Sequence, residues 1–256
     1  MESFPKIIHQ IWLQGINHIP KEYKDNIKQN QQINPDWKYM LWDDIKIINL
    51  LRENKEWVNT YYQLEYLHHK VDFARYVILN RFGGAYIDMD ARIIKPLNNI
   101  ITHFKEYELI VSKVNSNMIE NYFHCQHSIC INNGIIISKP NNIVIRKLID
   151  SIIKNPKCNF LSTKITCIQS ITGPAKFTRI IFKNKNNKIK ILDSEYLEPC
   201  VLDVCNVTDN THVIHKHAGS WYSSTLRQLV IVYLRYKWLF YICAIIIIYI
   251  VIIYNA

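Results

Sequence analysis

The chain has 256 residues, of which 49% are hydrophobic and 20% are charged. This length and apolar content allow a sizeable core, so we expect one domain with a short appendage. The formal net charge of +10 favours an anionic partner such as a nucleotide-sugar or a membrane surface. The sequence has no basic run with interleaved aromatic residues and no nucleic-acid-binding motif, which excludes a nucleic-acid-binding protein.

The predicted elements alternate between strands and helices along the chain. Apolar, β-rich runs predict strands at 6–12, 37–42, 85–87, 109–112, 135–138, 188–192 and 212–215. Periodicity and capping residues predict helices at 45–53, at 62–81, from 140 to about 153, and after Gly173-Pro174. This alternation indicates an α/β sandwich with a largely parallel sheet, whose ligands bind beyond the carboxyl ends of the strands.

Charged side chains with catalytic potential are concentrated between residues 72 and 90. Asp72 and Arg75 lie one turn apart on a predicted helix, which a pair of glycines then ends. The following strand leads into Asp88-Met89-Asp90, and residues two apart in an extended chain point the same way. Both carboxylates can therefore reach one Mg²⁺ or Mn²⁺ ion, which proteins commonly bind together with substrate phosphates.

An isolated Asp-x-Asp sequence is most often a pair of solvated loop acids, and a helix end alone explains the glycine pair. That interpretation leaves unexplained why five residues suited to one site fall so close together: Asp72, Arg75, Tyr86, Asp88 and Asp90. We therefore predict a metal and diphosphate site, with Asp90 as the direct metal ligand. Asp88 is expected to bind the metal through water or to contact a ribose hydroxyl.

The segment HKVDFARYVILNRFGGAYIDMDARIIKPL, residues 69–97, resembles the core of the DXD-containing sugar transferases of glycosyltransferase family 32. That group includes yeast-type α-mannosyltransferases and inositol-phosphoceramide mannosyltransferases, and the clostridial glucosylating toxins are similar in the same segment. Three further segments agree in order, namely PKIIHQIW at 5–12, Thr172-Gly173-Pro174, and HKHAGSW at 215–221. The resemblance spans residues 5–222 and implies a GT-A-type α/β/α sandwich over residues 1–228.

The resemblance also implies roles for the side chains of the charged cluster. Asp72 would bind sugar hydroxyls, Arg75 the diphosphate or the sugar, and Tyr86 would help to fix the nucleotide or diphosphate. A surface ion pair between Asp72 and Arg75 is the alternative explanation for those two residues. Trp12 would stack on the nucleobase, although a core tryptophan is the better explanation of that residue taken alone. Asn133 would contact the donor sugar, and a turn asparagine explains it equally well.

The C-terminal motif implies a cover for the diphosphate. Ser220 and Trp221 would close over it, and a nearby histidine would complete the metal shell, since neutral imidazole is a metal ligand. His215 and His217 are both available, and His217 is preferred.

Residues 238–254 form a run of about 17 residues without a charged side chain, at the short end for a bilayer span. We expect a C-terminal transmembrane helix, with residues 229–256 as a single-pass anchor in an endomembrane, Golgi-like or viral membrane. Arg235 and Lys237 precede the run and would place the preceding domain on the cytoplasmic face, whereas many relatives act in the Golgi lumen. Six of the seven cysteines lie outside the run, and the sequence leaves their pairing open.

Together these features predict a metal-dependent, retaining glycosyltransferase that moves a hexose from a nucleotide-sugar to a hydroxyl of a lipid, glycolipid or glycan. Mn²⁺ or Mg²⁺ is the expected ion, GDP-mannose the first candidate donor and a UDP-sugar the second. The alternatives are a non-catalytic, membrane-tethered nucleotide-sugar-binding protein and a metal-dependent phosphohydrolase.

Overall fold

The computed structural model describes residues 3–184, 188–201 and 204–216, and isolated residues between 228 and 247. Its strands are β1 (Ile7–Ile11), β2 (Lys38–Trp42), β3 (Gly84–Ile87), β4 (Ala91–Ile93), β5 (Leu109–Ser112), β6 (Ile135–Ser138), β7 (Ile189–Leu192), β8 (Cys200–Val201), β9 (Val204–Cys205) and β10 (Val213–His215). Its helices are α1 (Lys21–Ile33), α2 (Asp44–Leu51), α3 (Lys55–Gln63), α4 (Leu67–Phe82), α5 (Leu97–His103), α6 (Met118–Cys125), α7 (Ile143–Lys154), α8 (Lys164–Ile171), α9 (Pro174–Lys183) and α10 (Ser194–Leu197).

A six-stranded sheet with the order β2-β1-β3-β6-β5-β7 forms the centre of the fold. β1 runs parallel to β2 and β3, and β5 runs parallel to β7, whereas β6 is antiparallel to both of its neighbours. The expected parallel sheet therefore contains one reversed strand. Because β6 is reversed, its first residue, Ile135, lies opposite Ile87, the last residue of β3. The residues just before β6 consequently lie beside those just after β3.

Apolar side chains fill the space on both faces of the sheet. Tyr86 of β3 packs into the cluster beneath α4, α7 and α9, together with Phe73 and Phe177. Ala85 and Ile87 point the other way and belong to the cluster that includes residues of α5, because successive strand side chains alternate between faces. β3 is thus buried on both sides, and the expected α/β/α sandwich is confirmed.

Two glycines connect α4 to β3. Gly83 ends α4 with φ of 62°, and its N–H donates to the carbonyl of Leu79 at 2.9 Å. Gly84 has φ of 92°, and a Cβ atom there would lie 2.5 Å from the carbonyl oxygen of Ile7. Only glycine adopts such angles readily and permits this close approach. The pair therefore lets the chain pass directly from the α4 helix into the strand that precedes Asp88.

The sequence predicted the bounds of the strands and helices best in the long apolar segments. The strands of the central sheet all lie within a residue or so of their predicted positions, and Asp43 caps α2 by accepting from the N–H of Lys46. The predicted helix 62–81 is wrong in its first turn, because α3 ends at Gln63 and α4 begins only at Leu67. The predicted strand 212–215 exists but pairs with β4 in a separate two-stranded sheet. The polar helix α1 was not predicted.

Six cysteines form three disulfides, which resolves the pairing that the sequence left open. The bonds join Cys125 to Cys130, Cys158 to Cys167, and Cys200 to Cys205. The last of these closes the β8–β9 hairpin.

The predicted C-terminal transmembrane helix, and with it the single-pass membrane anchor and membrane localisation, is contradicted. Within the part of the chain that the structure describes, no helix has both the length and the apolar character that a bilayer span requires. A span needs about 20 apolar residues, and extending the apolar run 238–254 toward the N terminus takes in Lys237 and Arg235. Most of residues 217–256 lies outside the described residues.

His9 is a buried structural histidine in β1. Its Nε2 lies 2.9 Å from the carbonyl oxygen of Gly83, and its Nδ1 accepts from the indole N–H of Trp42 at 3.1 Å. These contacts define a neutral imidazole that carries its hydrogen on Nε2. Burial is the main reason that the pKa of His9 is lowered to about 4, with Lys38 adding to the effect and the Gly83 bond opposing it.

This shift predicts a pH dependence of stability. An unfolded histidine takes up a proton below a pH of about 6.5, whereas folded His9 remains neutral down to about pH 4. The contribution of neutral His9 to the free energy of unfolding should therefore be fully present above pH 6.5. It should decrease by about 3 kcal/mol as the pH drops to 4. His9→Gln should lack this contribution, measured as the difference from wild type in urea unfolding at pH 7 and pH 4. The exposed His18 provides the control as His18→Gln. Equal pH slopes for wild type and His9→Gln would contradict the assignment.

Candidate active site

Asp88 and Asp90 lie in a turn between β3 and β4. The N–H of Ala91 donates to the carbonyl of Asp88 at 3.0 Å, and the N–H of Asp88 donates to the carbonyl of Gly134 at 2.9 Å. The side-chain amide of Gln10 also donates to the carbonyl of Asp88, at 3.1 Å. The backbone is thus held from three sides, while the two carboxylates stay partly exposed, with 26% and 20% of the side chains accessible.

His215 reaches these aspartates through the pairing of β10 with β4. It lies opposite Ala91 in the antiparallel register, beside Asp90. Its Nε2 lies 3.1 Å from Oδ1 of Asp90 and 3.8 Å from Oδ2 of Asp88. Asp88, Asp90 and His215 each offer one ligand atom, and these atoms all lie within 4.8 Å of one another. We call these three residues the ligand cluster.

Glu198 lies behind the histidine. Its carboxylate is fully buried, and Oε1 lies 3.0 Å from Nδ1 of His215. Burial alone would lower the pKa of His215, but the carboxylates of Glu198 and Asp90 together raise it well above its usual value. The imidazole is therefore held between two carboxylates, one on each ring nitrogen.

Arg75 of α4 joins the ligand cluster to the helix. Its Nη2 lies 3.1 Å from Asp72 Oδ1 and 3.2 Å from Asp88 Oδ1. Its Nη1 donates to the carbonyl of Asn133 at 2.5 Å, and its guanidinium lies over the ring of Tyr86 at 4.5 Å from the centroid. The simple surface ion pair that the i,i+3 spacing allowed is thus excluded, because Arg75 is only 5% exposed and Asp72 only 2%.

Asp72 is held by hydrogen bonds from two distant parts of the chain. Its Oδ2 accepts from the hydroxyl of Thr172 at 2.8 Å, and its Oδ1 accepts from the side-chain amide of Asn133 at 3.1 Å. Tyr76 ties the same parts together, since its hydroxyl donates to the carbonyl of Thr172 and accepts from Asn133. Burial raises the pKa of Asp72 to about 6, although Arg75, Thr172 and Asn133 oppose the rise.

The two aromatic candidates lie at different places. The hydroxyl of Tyr86 donates to Oδ1 of Asp88 at 2.7 Å, so Tyr86 contacts a member of the ligand cluster, and its role toward the nucleotide stays a prediction. Trp12 follows β1, and its ring contacts that of Tyr23 edge-on at 5.7 Å. Among the residues that the structure describes, nothing accepts a hydrogen bond from its buried indole N–H.

Negative charge exceeds positive charge at this edge of the sheet. The carboxylates of Asp72 and Asp88 pair with the guanidinium of Arg75. Those of Asp90 and Glu198 lie at the two ring nitrogens of His215. Removal from water raises the pKa of Asp88, which Arg75 and His215 counteract. Two carboxylates and an imidazole nitrogen are a donor set that suits Mn²⁺ and related divalent ions. The residues present therefore fit a divalent cation.

The structure unites most of the sequence-predicted residues and adds others. Asp72, Arg75, Tyr86 and Asp88 form one network with Asn133, and Asp90 joins it through His215. His217, Ser220 and Trp221 lie outside the described residues, so the preference for His217 stays untested. His215 was the alternative to His217 as the metal ligand, and Thr172 was quoted as part of a motif without an assigned contact. Glu198 was missed, because a single glutamate before a proline carries no sequence signal.

Known proteins resemble this chain in sequence and in fold. The family model described as "Glycosyltransferase sugar-binding region containing DXD motif" matches residues 20–106. An uncharacterized glycosyltransferase, L373, of Acanthamoeba polyphaga mimivirus is 33% identical over 231 residues, which are 85% of this chain and 83% of that protein. The mannosyl phosphorylinositol ceramide synthase SUR1 of Saccharomyces cerevisiae is 26% identical over 203 residues, 76% of this chain and 48% of that protein.

Among solved structures, the catalytic domain of the alpha-toxin from Clostridium novyi matches with a TM-score of 0.51. The match covers 90% of this chain and 82% of that chain at 10% identity, which shows a shared GT-A-like fold alone. The similarity to L373 extends over most of both proteins, and the chain therefore belongs to the DXD-containing glycosyltransferases. It spans about half the length of SUR1.

Gly134 allows a test of the cluster geometry. A Cβ atom at this position would lie 2.6 Å from both Oδ2 of Asp88 and Cε1 of His215. Gly134→Ala should therefore push two members of the ligand cluster apart and weaken Mn²⁺ binding at least tenfold, measured by titration calorimetry. The thermal unfolding midpoint should change little, because the clashing atoms are side-chain ends. Unchanged Mn²⁺ affinity in the folded variant would show that the cluster does not bind the ion in this geometry.

Proposed function

We propose that this glycosyltransferase is metal-dependent and transfers mannose, with retention, from a nucleotide-diphosphate sugar to a hydroxyl of a glycolipid. One observation carries the metal dependence: Asp88, Asp90 and His215 bring three ligand atoms within 4.8 Å of one another, in a region with excess negative charge. A divalent cation bound there would neutralise the diphosphate leaving group.

Arg75 is the positioning residue of the site. Its two ion pairs fix Asp88 relative to Asp72, and the planar guanidinium suits this fork better than a lysine would. In such buried pairs, loss of one partner costs roughly 3–5 kcal/mol. The side chains of the site are therefore held in place before any substrate binds, which lowers the reorganisation needed during the reaction.

We assign the donor sugar to the Asp72–Asn133 pair and the nucleobase to Trp12. Asn133 is linked at once to Asp72, Tyr76 and Arg75, so its position is fixed next to the ligand cluster. Trp12 follows β1, the strand adjacent to β3. Among the described residues nothing accepts from its indole N–H, which can donate to an acceptor atom of the nucleotide. Both assignments extend the sequence-based expectation.

The proposed retention rests on the resemblance to the family, and the state of the carboxylates bears on how it is achieved. Both oxygens of Asp72 already accept hydrogen bonds, and Asp88 and Asp90 are assigned to the cation. Among the described residues of the cluster, this leaves no carboxylate suited to attack the sugar. We therefore infer that the acceptor hydroxyl attacks an oxocarbenium-like centre from the side on which the diphosphate leaves, giving its proton to that leaving group.

Mannose and a phosphoinositol-containing ceramide are the proposed donor sugar and acceptor class. The support is the name of the SUR1 relative, a mannosyl phosphorylinositol ceramide synthase. GDP-mannose is accordingly the first donor to test and UDP-sugars the second.

The purified protein should release GDP from GDP-mannose in the presence of Mn²⁺ and transfer mannose to inositol phosphoceramide in detergent. UDP-glucose, UDP-galactose and UDP-N-acetylglucosamine should be poorer donors by at least about tenfold, because specificity follows contacts to the base and sugar. Mass spectrometry of the lipid and nucleotide products makes the measurement. Release of inorganic phosphate instead of nucleoside diphosphate would indicate a phosphohydrolase.

Asp90→Asn should reduce Mn²⁺-dependent turnover at least about 100-fold, because it removes a charged ligand from the leaving-group site. Circular dichroism and the thermal midpoint should stay close to wild type, since Asp90 is partly exposed. Asp150→Asn, on the exposed side of α7, is the matched control and should keep full activity. Near-normal turnover of Asp90→Asn would remove this carboxylate from the mechanism.

A further inference from the structure

Glu198 is a fully buried acid outside the residues assigned so far to substrate or cation. It follows α10 directly, and its exposed fraction is 0%. A buried carboxylate is costly unless it is paired and hydrogen-bonded. Glu198 meets this condition through the imidazole of His215, at 3.0 Å from Nδ1.

The backbone around Glu198 is held on both sides. Its own N–H donates to the carbonyl of Ser194 at 2.7 Å, and the carbonyl of Pro199 accepts from the N–H of Asn206 at 2.8 Å. The Cys200–Cys205 disulfide closes the hairpin that follows. The N–H of His212 donates to the carbonyl of Tyr196 at 2.8 Å, which joins α10 to the segment leading into β10. The carboxylate is therefore presented to His215 from a fixed position.

The chemistry of imidazole gives this contact a consequence. A neutral imidazole carries one hydrogen, and the nitrogen without it offers the lone pair to a metal. Without a cation, each ring nitrogen of His215 lies at hydrogen-bond distance from a carboxylate. A cation in place of the Nε2 hydrogen would leave the other hydrogen on Nδ1, donated to Glu198, and the Nε2 lone pair would face Asp88 and Asp90. Carboxylate partners of this kind commonly orient metal-binding histidines and raise their basicity.

We propose that Glu198 is a positioning residue that fixes the tautomer and ring orientation of His215 for a divalent cation held by Asp88 and Asp90. This inference rests on the metal dependence put forward under the proposed function. It has a further consequence for ion choice. A nitrogen ligand favours Mn²⁺ and later transition metals over Mg²⁺, which prefers oxygen. Glu198 thereby biases the site toward Mn²⁺ through a group that does not touch the ion.

The test measures binding of Mn²⁺ and Mg²⁺ alone, by calorimetry and by electron paramagnetic resonance of free Mn²⁺. Glu198→Leu should weaken Mn²⁺ binding about 10- to 100-fold and Mg²⁺ binding less. Glu198→Gln keeps an oxygen that can accept from Nδ1, so it should recover part of the lost affinity. Glu195, which lies on α10, instead accepts hydrogen bonds from Thr208 and Asn210. Glu195→Leu and Glu195→Gln are the matched controls and should bind Mn²⁺ like wild type.

A double-mutant comparison separates positioning from general stability. In a His215→Ala background, Glu198→Leu should cause no further loss of Mn²⁺ affinity, because its effect acts through the imidazole. An equal loss in both backgrounds would overturn the inference, as would wild-type Mn²⁺ affinity in folded Glu198→Leu. If Glu198→Leu fails to fold, Glu198→Gln provides the test. Wild-type Mn²⁺ affinity in Glu198→Gln, with an unchanged ratio of Mn²⁺ affinity to Mg²⁺ affinity, would then overturn the inference.

The two proposals fail in different ways. Wild-type protein that binds Mn²⁺ through Asp90, with no dependence on Glu198, would overturn the role of Glu198 and leave the proposed function intact. Wild-type protein that binds no divalent cation would overturn both.

Discussion

The structure of this glycosyltransferase depends on the buried ion pairs of Arg75. One guanidinium joins Asp72 on its own helix to Asp88 beyond β3, and it also bonds to the backbone before β6. Three separate parts of the chain thereby meet at one point. Without that charge, Asp72 and Asp88 would repel each other in a region largely removed from water. Arg75 therefore helps to fix the site relative to the central sheet, together with the hydrogen bonds that join the Asp88 backbone to Gly134 and Gln10.

The reversed strand β6 and the two-stranded sheet of β4 and β10 bring further residues to the site that Arg75 holds together. Because β6 is antiparallel to β3, Asn133 and Gly134 reach the acids from the same edge at which β3 ends. The pairing of β10 with β4 then places His215 beside Asp90. The Gly83-Gly84 turn keeps α4 close enough to β3 for Arg75 to span the gap. Each element carries one part of the site, and none carries a complete one.

The ligand cluster illustrates how a buried region tolerates excess negative charge. Arg75 and the His215 imidazole offset part of the charge, and hydrogen bonds from Thr172, Tyr86 and Asn133 offset more. The remaining excess favours a cation. This excess of negative charge is consistent with the proposed metal-dependent reaction, in which a diphosphate leaving group requires positive charge at the same place.

The sequence by itself determined the family, the strands of the central sheet and the residues of the Asp72–Asp90 segment, because these depend on local periodicity and on short motifs. It also suggested a membrane helix at 238–254, which hydrophobicity alone could not establish. Only the tertiary structure decided that His215 faces Asp90, that Thr172 bonds to Asp72 and that Glu198 lies behind the histidine. These contacts join residues 17 to 125 positions apart. Strand register and chain reversal bring them together, and neither leaves a local pattern in the sequence.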